Sequence, residues 1–433
     1  MAIANTSNNS VTVSAGSGGS YQSAFALVTT LFFMWGFLTS LNDILIPHLK
    51  TIFDLNYAEA MLVQFAFFSA YAAFGVASGK VVEWIGYQRT MVAGLVTMGL
   101  GAVLFIPAAD LPSFPLFLSA LIVLAAGITA LQVAANPYVT VLGPAQTASS
   151  RLNLTQAFNS LGTTIGPPLG GWLILRGAEK TLRNTQGMSA ATLHAYRIQQ
   201  AATVKFPYLA ISLALVLMAL AIALYKFPRL DTTKDFRPGE GADAGHNIWR
   251  YRHVVLGAVG IFVYVGAEVS IGSFLINYFN QPFIAGMKQD TAANYVLFYW
   301  GGAMVGRFIG AAVLQKVRTG KLLTLCAGVA MVLVILSMLT FGHVAMWSML
   351  AVGLFNSIMF PSIFTLGVAE MGPLTGKASG LLVTAIVGGA LIPELQGILA
   401  DHIGIHHAFI LPVLCYIFIA YYGWKGSRVI LPA

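Results

Sequence analysis

Charge is what this chain of 433 residues has least of: Asp, Glu, Lys and Arg make up 9% of it, while 57% is hydrophobic. A soluble globular chain carries about 25% charged residues, so a water-exposed surface over the whole molecule is excluded. No charged residue precedes Asp43, which removes the basic n-region of a secretory signal peptide. Residues 1–23 are rich in Ser, Asn, Thr and Gly and read as a disordered cytoplasmic tail, with the first apolar run retained. The two cysteines, Cys326 and Cys415, lie inside apolar runs and read as small buried hydrophobes, not as a disulfide or a metal site. No Gly-x-x-x-x-Gly-Lys-Ser/Thr loop is present, which argues against ATP drive. No nucleophile–base pair or metal-ligand cluster stands at membrane depth, so the chain does not read as an enzyme. His402, His406 and His407 read as solvated loop histidines.

What the chain does have is long apolar runs. Twelve can be drawn, at about 24–48, 59–79, 90–109, 114–142, 152–175, 205–226, 253–279, 291–315, 321–341, 344–370, 377–399 and 405–424. Runs of about 20 residues suit membrane-spanning helices, not the alternating strands of a barrel. Residues 227–252 form the most charged stretch and divide the chain into six-helix halves, 24–226 and 253–424, leaving a tail at 425–433. With both termini in the cytoplasm, sixteen of the 23 Lys and Arg residues fall inside and seven outside, as the positive-inside rule requires. The net charge of +8 follows from this asymmetry and does not call for nucleic acid.

The halves repeat one another. GKVVEWIGYQR (79–89) between runs 2 and 3 parallels VGRFIGAAVLQKVRTGK (305–321) between runs 8 and 9, and ANPYVTVLGP (135–144) parallels FPSIFTLGVAEMGP (360–373). Paired halves around a midplane site are the architecture of a transporter. Glycine-rich LGTTIGPPLGG (161–171) and IVGGALIP (386–393) let helices approach closely and bend.

Polar residues inside the runs mark the site. Asp43, beside Asn42, Glu268 and Glu394 are carboxylates at depth. A charge there costs roughly 2.5–3.5 kcal/mol on insertion scales. Desolvation brings such a group toward a range where it can load and release a proton. Asp43 is the first candidate for ion coupling and Glu268 the second. Gln64, Gln132, Asn136, Gln156, Asn159, Tyr264, Asn277 and Asn356 add neutral donors and acceptors. With Trp35, Phe68, Tyr71, Phe158, Tyr299 and Trp300 they suit a polyhydroxylated ligand, since amides both give and accept hydrogen bonds with sugar hydroxyls. An anion carrier would want Lys or Arg at midplane, and only Arg307, toward the inner end of run 8, comes near.

These features resemble the major facilitator superfamily. The 79–89 turn matches its Gly-x-x-x-acid-x-x-Gly-x-x-basic pattern at Gly79, Glu83, Gly86 and Arg89. More narrowly, LNDILIPHL (41–49), QVAANPYVTVLGP (132–144), RLNLTQAFNSLGT (151–163), YVGAEVSIGSF (264–274) and FNSIMFPSIFTLG (355–367) resemble the fucose permease family and its glucose/galactose branch. The resemblance implies an all-α fold of twelve transmembrane helices, with two halves related by a pseudo-two-fold axis. It implies a monomeric symporter in the bacterial inner membrane that imports a neutral hexose by alternating access. Protons are the expected coupling ion, with no cofactor; sodium coupling or facilitated uniport is the alternative. In fucose-transporting members the aspartate matching Asp43 and a glutamate in run 4 are linked to proton coupling. Here Gln132 replaces that glutamate, and Glu268 stands where those members have a neutral amide. Gly79, Glu83, Gly86 and Arg89, joined by Arg151, are expected to form the inner gate.

Overall fold

The computed structural model describes residues 21–53, 57–111, 113–170, 189, 192, 205–228 and 247–430, without the side chains of 41–52, 57–61, 64, 167, 168, 170 and 290. The expectations for the 1–23 tail, the 227–252 linker and the side chains of Asn42, Asp43 and Gln64 therefore lie largely or wholly outside the described residues.

The described chain is helical. Helix α1 is Tyr21–Phe53. The continuous helix Tyr57–Asp110 is broken at Gly86, whose φ of 82° and ψ of 169° are not helical. We label its arms α2 (57–85) and α3 (87–110). Positive φ costs glycine little and other residues much, so the second glycine of the 79–89 turn is where the chain reverses. Then come α4 (Phe114–Val141), α5 (Ala148–Gly170), α6 (Lys205–Leu224), α7 (Arg252–Asn280), α8 (Gln289–Val313) and α9 (Thr319–Leu339). Helix α10 is in two pieces, Gly342–Asn356 and Met359–Gly367. Helix α11 runs through Thr375–Thr384, a 3-10 turn at Ala385–Val387 and Gly388–Ile403. Helix α12 comprises Ile405–Ala408 and Ile410–Tyr421 and closes on a π-turn, Tyr422–Gly426.

Ten stretches among the described residues are long and apolar enough to cross a membrane. The one covering Phe65–Asp110 holds two arms. Helix α5 falls short because Arg151, Asn153, Gln156, Asn159, Ser160 and Thr163 interrupt it. These account for the twelve expected helices.

The outer helices face lipid. On α6, Leu209, Leu213, Leu217, Leu220 and Leu224 are exposed, while Ile211, Leu215, Ala219 and Ile222 are buried. An exposed leucine stripe of this length is untenable in water and ordinary in a bilayer. Within each half, small residues bring backbones into contact. A side chain at Gly36 of α1 would strike the Asn159 carbonyl of α5, and one at Gly388 of α11 would strike the Phe262 carbonyl of α7. The α1–α5 and α7–α11 crossings are thus the same device in the two halves.

The halves meet through α2 with α11 and α5 with α8. At the first seam Gly75 and Gly79 lie against Gly376, Gly380 and Thr384; a Cβ on Gly79 would sit 2.9 Å from the Gly376 carbonyl oxygen. At the second, the Ser150 hydroxyl donates to the Ala311 carbonyl at 2.6 Å and the Asn153 amide donates to the Arg307 carbonyl at 2.6 Å. Further along, Ser149 and Thr365 share a 2.6 Å hydroxyl–hydroxyl bond. All these contacts lie toward the end of the bundle that carries the Gly86 turn, the basic end. Toward the far end the last of this kind are Phe68 against Gly389 and Thr164 against the Met304 sulfur at 3.6 Å. The described halves are sealed at the basic end.

One expectation is corrected. His406 is buried, not a solvated loop residue: its ring stacks on Phe341 at 5.3 Å, and its Nδ1 lies 3.1 Å from the Tyr278 hydroxyl. The chain turns at Gly404 (φ 82°) and α12 begins at once, so the histidine is carried back into the bundle.

Candidate functional site

Prolines at membrane depth prepare the site. Proline has no N–H, so the carbonyl four residues earlier loses its helical donor. Pro361 in α10 frees the Ser357 carbonyl, which accepts from Arg307 Nε at 3.4 Å. The break just before it leaves the Asn356 carbonyl to accept from the Tyr264 hydroxyl at 3.1 Å. Pro137 in α4 frees the Val133 carbonyl, which accepts from the Ser379 hydroxyl of α11, in the other half, at 2.8 Å. The two repeated proline motifs thus supply acceptors in both halves.

In the second half these bonds converge on Asn356, which is fully buried. Its amide donates to the Tyr299 hydroxyl at 2.9 Å, and its side-chain oxygen accepts from the Tyr416 hydroxyl at 2.8 Å. Tyr299 in turn donates to the backbone carbonyl of Glu268 at 3.2 Å. Four helices, α7, α8, α10 and α12, are tied through one asparagine. Glu268 lies one turn after Tyr264, and its Oε1 is 3.7 Å from the Arg307 guanidinium, with 12% and 15% of the two side chains exposed. Oε1 has no hydrogen-bond partner among the described residues. Arg307 also donates to the Ser160 hydroxyl of α5 in the other half, so the carboxylate, its counter-charge and the seam form one connected unit.

In the first half, Gln132 of α4 donates to the Tyr71 hydroxyl of α2 at 2.8 Å, and Asn159 of α5 donates to the Phe32 carbonyl of α1 at 2.9 Å. Phe67, Phe68 and Tyr71 form an aromatic group with ring centroids 5.7–6.4 Å apart. Gln132, Asn136 and Gln156 are buried, yet Gln132 Oε1, both side-chain polar atoms of Asn136 and Gln156 Nε2 have no partner among the described residues. Buried polar atoms are almost always satisfied, so these leave hydrogen-bonding capacity for water or a ligand. The amides can satisfy hydroxyls, and the aromatic faces can hold an apolar ring edge.

Not every expected residue joins these groups. Asn277 and Glu394 are exposed, and Asn277 lies about 14 Å further along α7 than Glu268 at 1.5 Å per residue. At the basic end Glu83 pairs with Lys377 of α11 at 3.4 Å, across the seam, and Arg89 is exposed. Arg151 is engaged inside its own half: its guanidinium donates to the carbonyls of Val139, Thr140 and Pro144 and to the Thr147 hydroxyl. The last carbonyls of a helix lack intrahelical donors and carry the negative end of the dipole, and Arg151 supplies both remedies to α4. Sequence reasoning left Ser160, Lys377, Ser379 and Tyr416 unassigned and gave Arg307 no role. Arg307 carried the clearest signal, an arginine alone in an apolar run. Among the described residues no group of three His, Cys, Asp or Glu is placed to hold a metal ion.

Comparison with known proteins gives three kinds of match. A model of the Major Facilitator Superfamily matches residues 24–393. A glucose/galactose transporter of Brucella abortus is 51% identical over 428 residues, covering 99% of this chain and all of the relative. The L-fucose-proton symporter of Escherichia coli is 36% identical over 406 residues, covering 93% and 92%. Among solved structures, FucP, a superfamily transporter in the outward conformation, matches with a TM-score of 0.85 and 34% identity, covering 95% of this chain and all of that one.

Proposed function

Because the chain belongs to the Major Facilitator Superfamily and, within it, to the fucose permease family, we propose that it is a proton-coupled symporter that imports a neutral hexose, glucose or galactose, by alternating access. It is a multi-pass membrane protein and a transporter, not an enzyme. The observation that carries the sugar reading is the site's chemistry. Its described polar groups are amides and hydroxyls, and the charges of Glu268 and Arg307 stand opposite one another. Names support it: the relative that matches over 99% of this chain is a glucose/galactose transporter.

In this reading Gln132, Asn136, Gln156, Asn159, Tyr264, Glu268 and Asn356 contact sugar. Asp43, within α1, is the coupling carboxylate, with Glu268 second. Asn42, Gln64, Asn277 and Glu394 are the remaining candidates for sugar contact. Gly79, Glu83, Gly86 and Arg89 form the inner gate, to which the Glu83–Lys377 pair adds Lys377. The halves are 24–226 and 253–424, joined by a cytoplasmic linker at 227–252. The basic end faces the cytoplasm of a bacterial cell, by the positive-inside rule. Its sealing then corresponds to an outward-facing state of a monomer in the inner membrane.

The test is uptake of labelled glucose, galactose and fucose into proteoliposomes under an inward proton gradient, an inward sodium gradient, or neither. Glucose or galactose should accumulate above equilibrium with protons alone, and Asp43→Asn should abolish accumulation. Accumulation with sodium alone would reassign the ion. Equilibration under every gradient would make the protein a uniporter.

A further inference from the structure

Arg307 has no part in the reading above beyond balancing Glu268, yet its geometry is that of a poised anion site. A guanidinium stays charged in any protein environment and presents five N–H donors in a rigid fork that fits a carboxylate. Two of its three nitrogens are fixed by neutral acceptors: Nε by the Ser357 carbonyl, and one terminal nitrogen by the Ser160 hydroxyl. Its own backbone carbonyl is held by Asn153. The other terminal nitrogen faces Glu268 at 3.7 Å, too far for a hydrogen bond. The arginine is therefore anchored independently of Glu268, and the carboxylate serves as counter-charge without being bound to it.

Among the described residues the surroundings supply no second acid. Facing the pair are Tyr264 from α7, Tyr299 from α8 and Tyr416 from α12, with Asn356 from α10. All are neutral groups. Both charged side chains keep partial exposure, and Arg307 reaches the seam between the halves through Ser160.

Resting on the sugar reading, we propose that Arg307 is a specificity-determining residue. Paired with Glu268 its charge is balanced, which favours neutral hexoses over sugar anions. When the Glu268 charge is removed, the same anchored guanidinium accepts the carboxylate of a hexuronate. The ligand class of the altered site is a sugar acid: the pyranose ring of a hexose, with a planar anion at C6 for the arginine fork.

The experiment is binding of labelled glucose, glucuronate and galacturonate to the purified full-length protein in detergent near neutral pH. Wild type should bind glucose and show no saturable hexuronate binding. Glu268→Gln, which keeps size and removes charge, should bind a hexuronate with a Kd at least about tenfold below the wild-type limit. The double variant Glu268→Gln/Arg307→Gln should lose that gain, and Arg307→Gln alone should never acquire it. A monodisperse Glu268→Gln protein without hexuronate binding overturns the proposal, as does a gain that survives in the double variant. Should Glu268→Gln fail to assemble, the double variant decides: removing both charges relieves the uncompensated cation and should restore a monodisperse protein, and one no better than the single variant overturns the pairing. Wild type that binds hexose while Glu268→Gln gains nothing defeats this proposal alone. Wild type that binds no sugar defeats the sugar reading, and the proposal with it.

Discussion

Asn356 is the residue on which the second half's polar interior turns. It serves two tyrosine hydroxyls with its side chain and a third with its carbonyl. In Asn356→Ala the buried Tyr299 and Tyr416 hydroxyls each lose a partner. A buried polar group left unsatisfied costs about 1–3 kcal/mol, so the variant should lose about 2–4 kcal/mol. Thermal unfolding in detergent should show a clearly lowered Tm, whereas exposed Asn277→Ala should change stability by less than about 0.5 kcal/mol. At this scale the sequence was legible where a polar residue interrupts an apolar run: Gln132, Asn136, Gln156, Tyr264, Glu268 and Asn356 are all buried or half-buried. It was illegible where the partner comes from another helix. Nothing in the spacing of α8 tells that Arg307 reaches Ser160, and a basic residue at a helix start reads alike whether it guards a gate or, like Arg151, caps the preceding helix.

The elements most exposed to test are α2 and α11, whose backbones touch at Gly79 and Gly380. There is no room there for a branched side chain. Gly79→Leu should prevent the basic end from closing and abolish uptake. Ser379, fully buried next to Gly380 in α11 and bonded to the Val133 carbonyl of α4, offers the readout. On a background with Cys326 and Cys415 replaced, Ser379→Cys should resist a water-soluble thiol reagent, and adding Gly79→Leu should speed its labelling at least about tenfold, the equivalent of 1.4 kcal/mol of closure lost. Unchanged labelling would show that the seam tolerates the side chain. Helix number and order were readable from the apolar runs, and the Gly86 reversal from its turn motif. The interruptions of α10 and α11 were foreshadowed only by Pro361 and by the glycines of 386–393. A broken helix is held open by what bonds to its freed carbonyls, and those donors lie far away in sequence.

For the molecule as a whole, alternating access is a balance between seams, and the Glu83–Lys377 pair weighs on one side of it. With 24% and 31% of the side chains exposed, such a pair contributes about 0–1 kcal/mol. Lys377→Gln should therefore shift the balance away from the sealed basic end by no more than about fivefold. The charge swap Glu83→Lys/Lys377→Glu should return it, measured by the same Ser379→Cys labelling. The two-half plan was legible because the motifs repeat. The identity of the clasp was not, because the turn motif suggests partners within its own half while the observed cation comes from the other.

Helix α5 alone is too polar to count among the apolar spans, and it crosses α1 where Gly36 admits the Asn159 backbone. A helix leaving the insertion machinery must prefer lipid to water by itself, or find a neighbour that makes it do so. The amides of α5 give it little of the first. Its entry into the bilayer is thus a templated event: α1, made earlier, offers the close contact at Gly36 and the Phe32 carbonyl that accepts from the Asn159 amide. The polarity that equips the finished protein to handle its cargo also fixes an order of assembly, with the first helix acting as chaperone to the fifth.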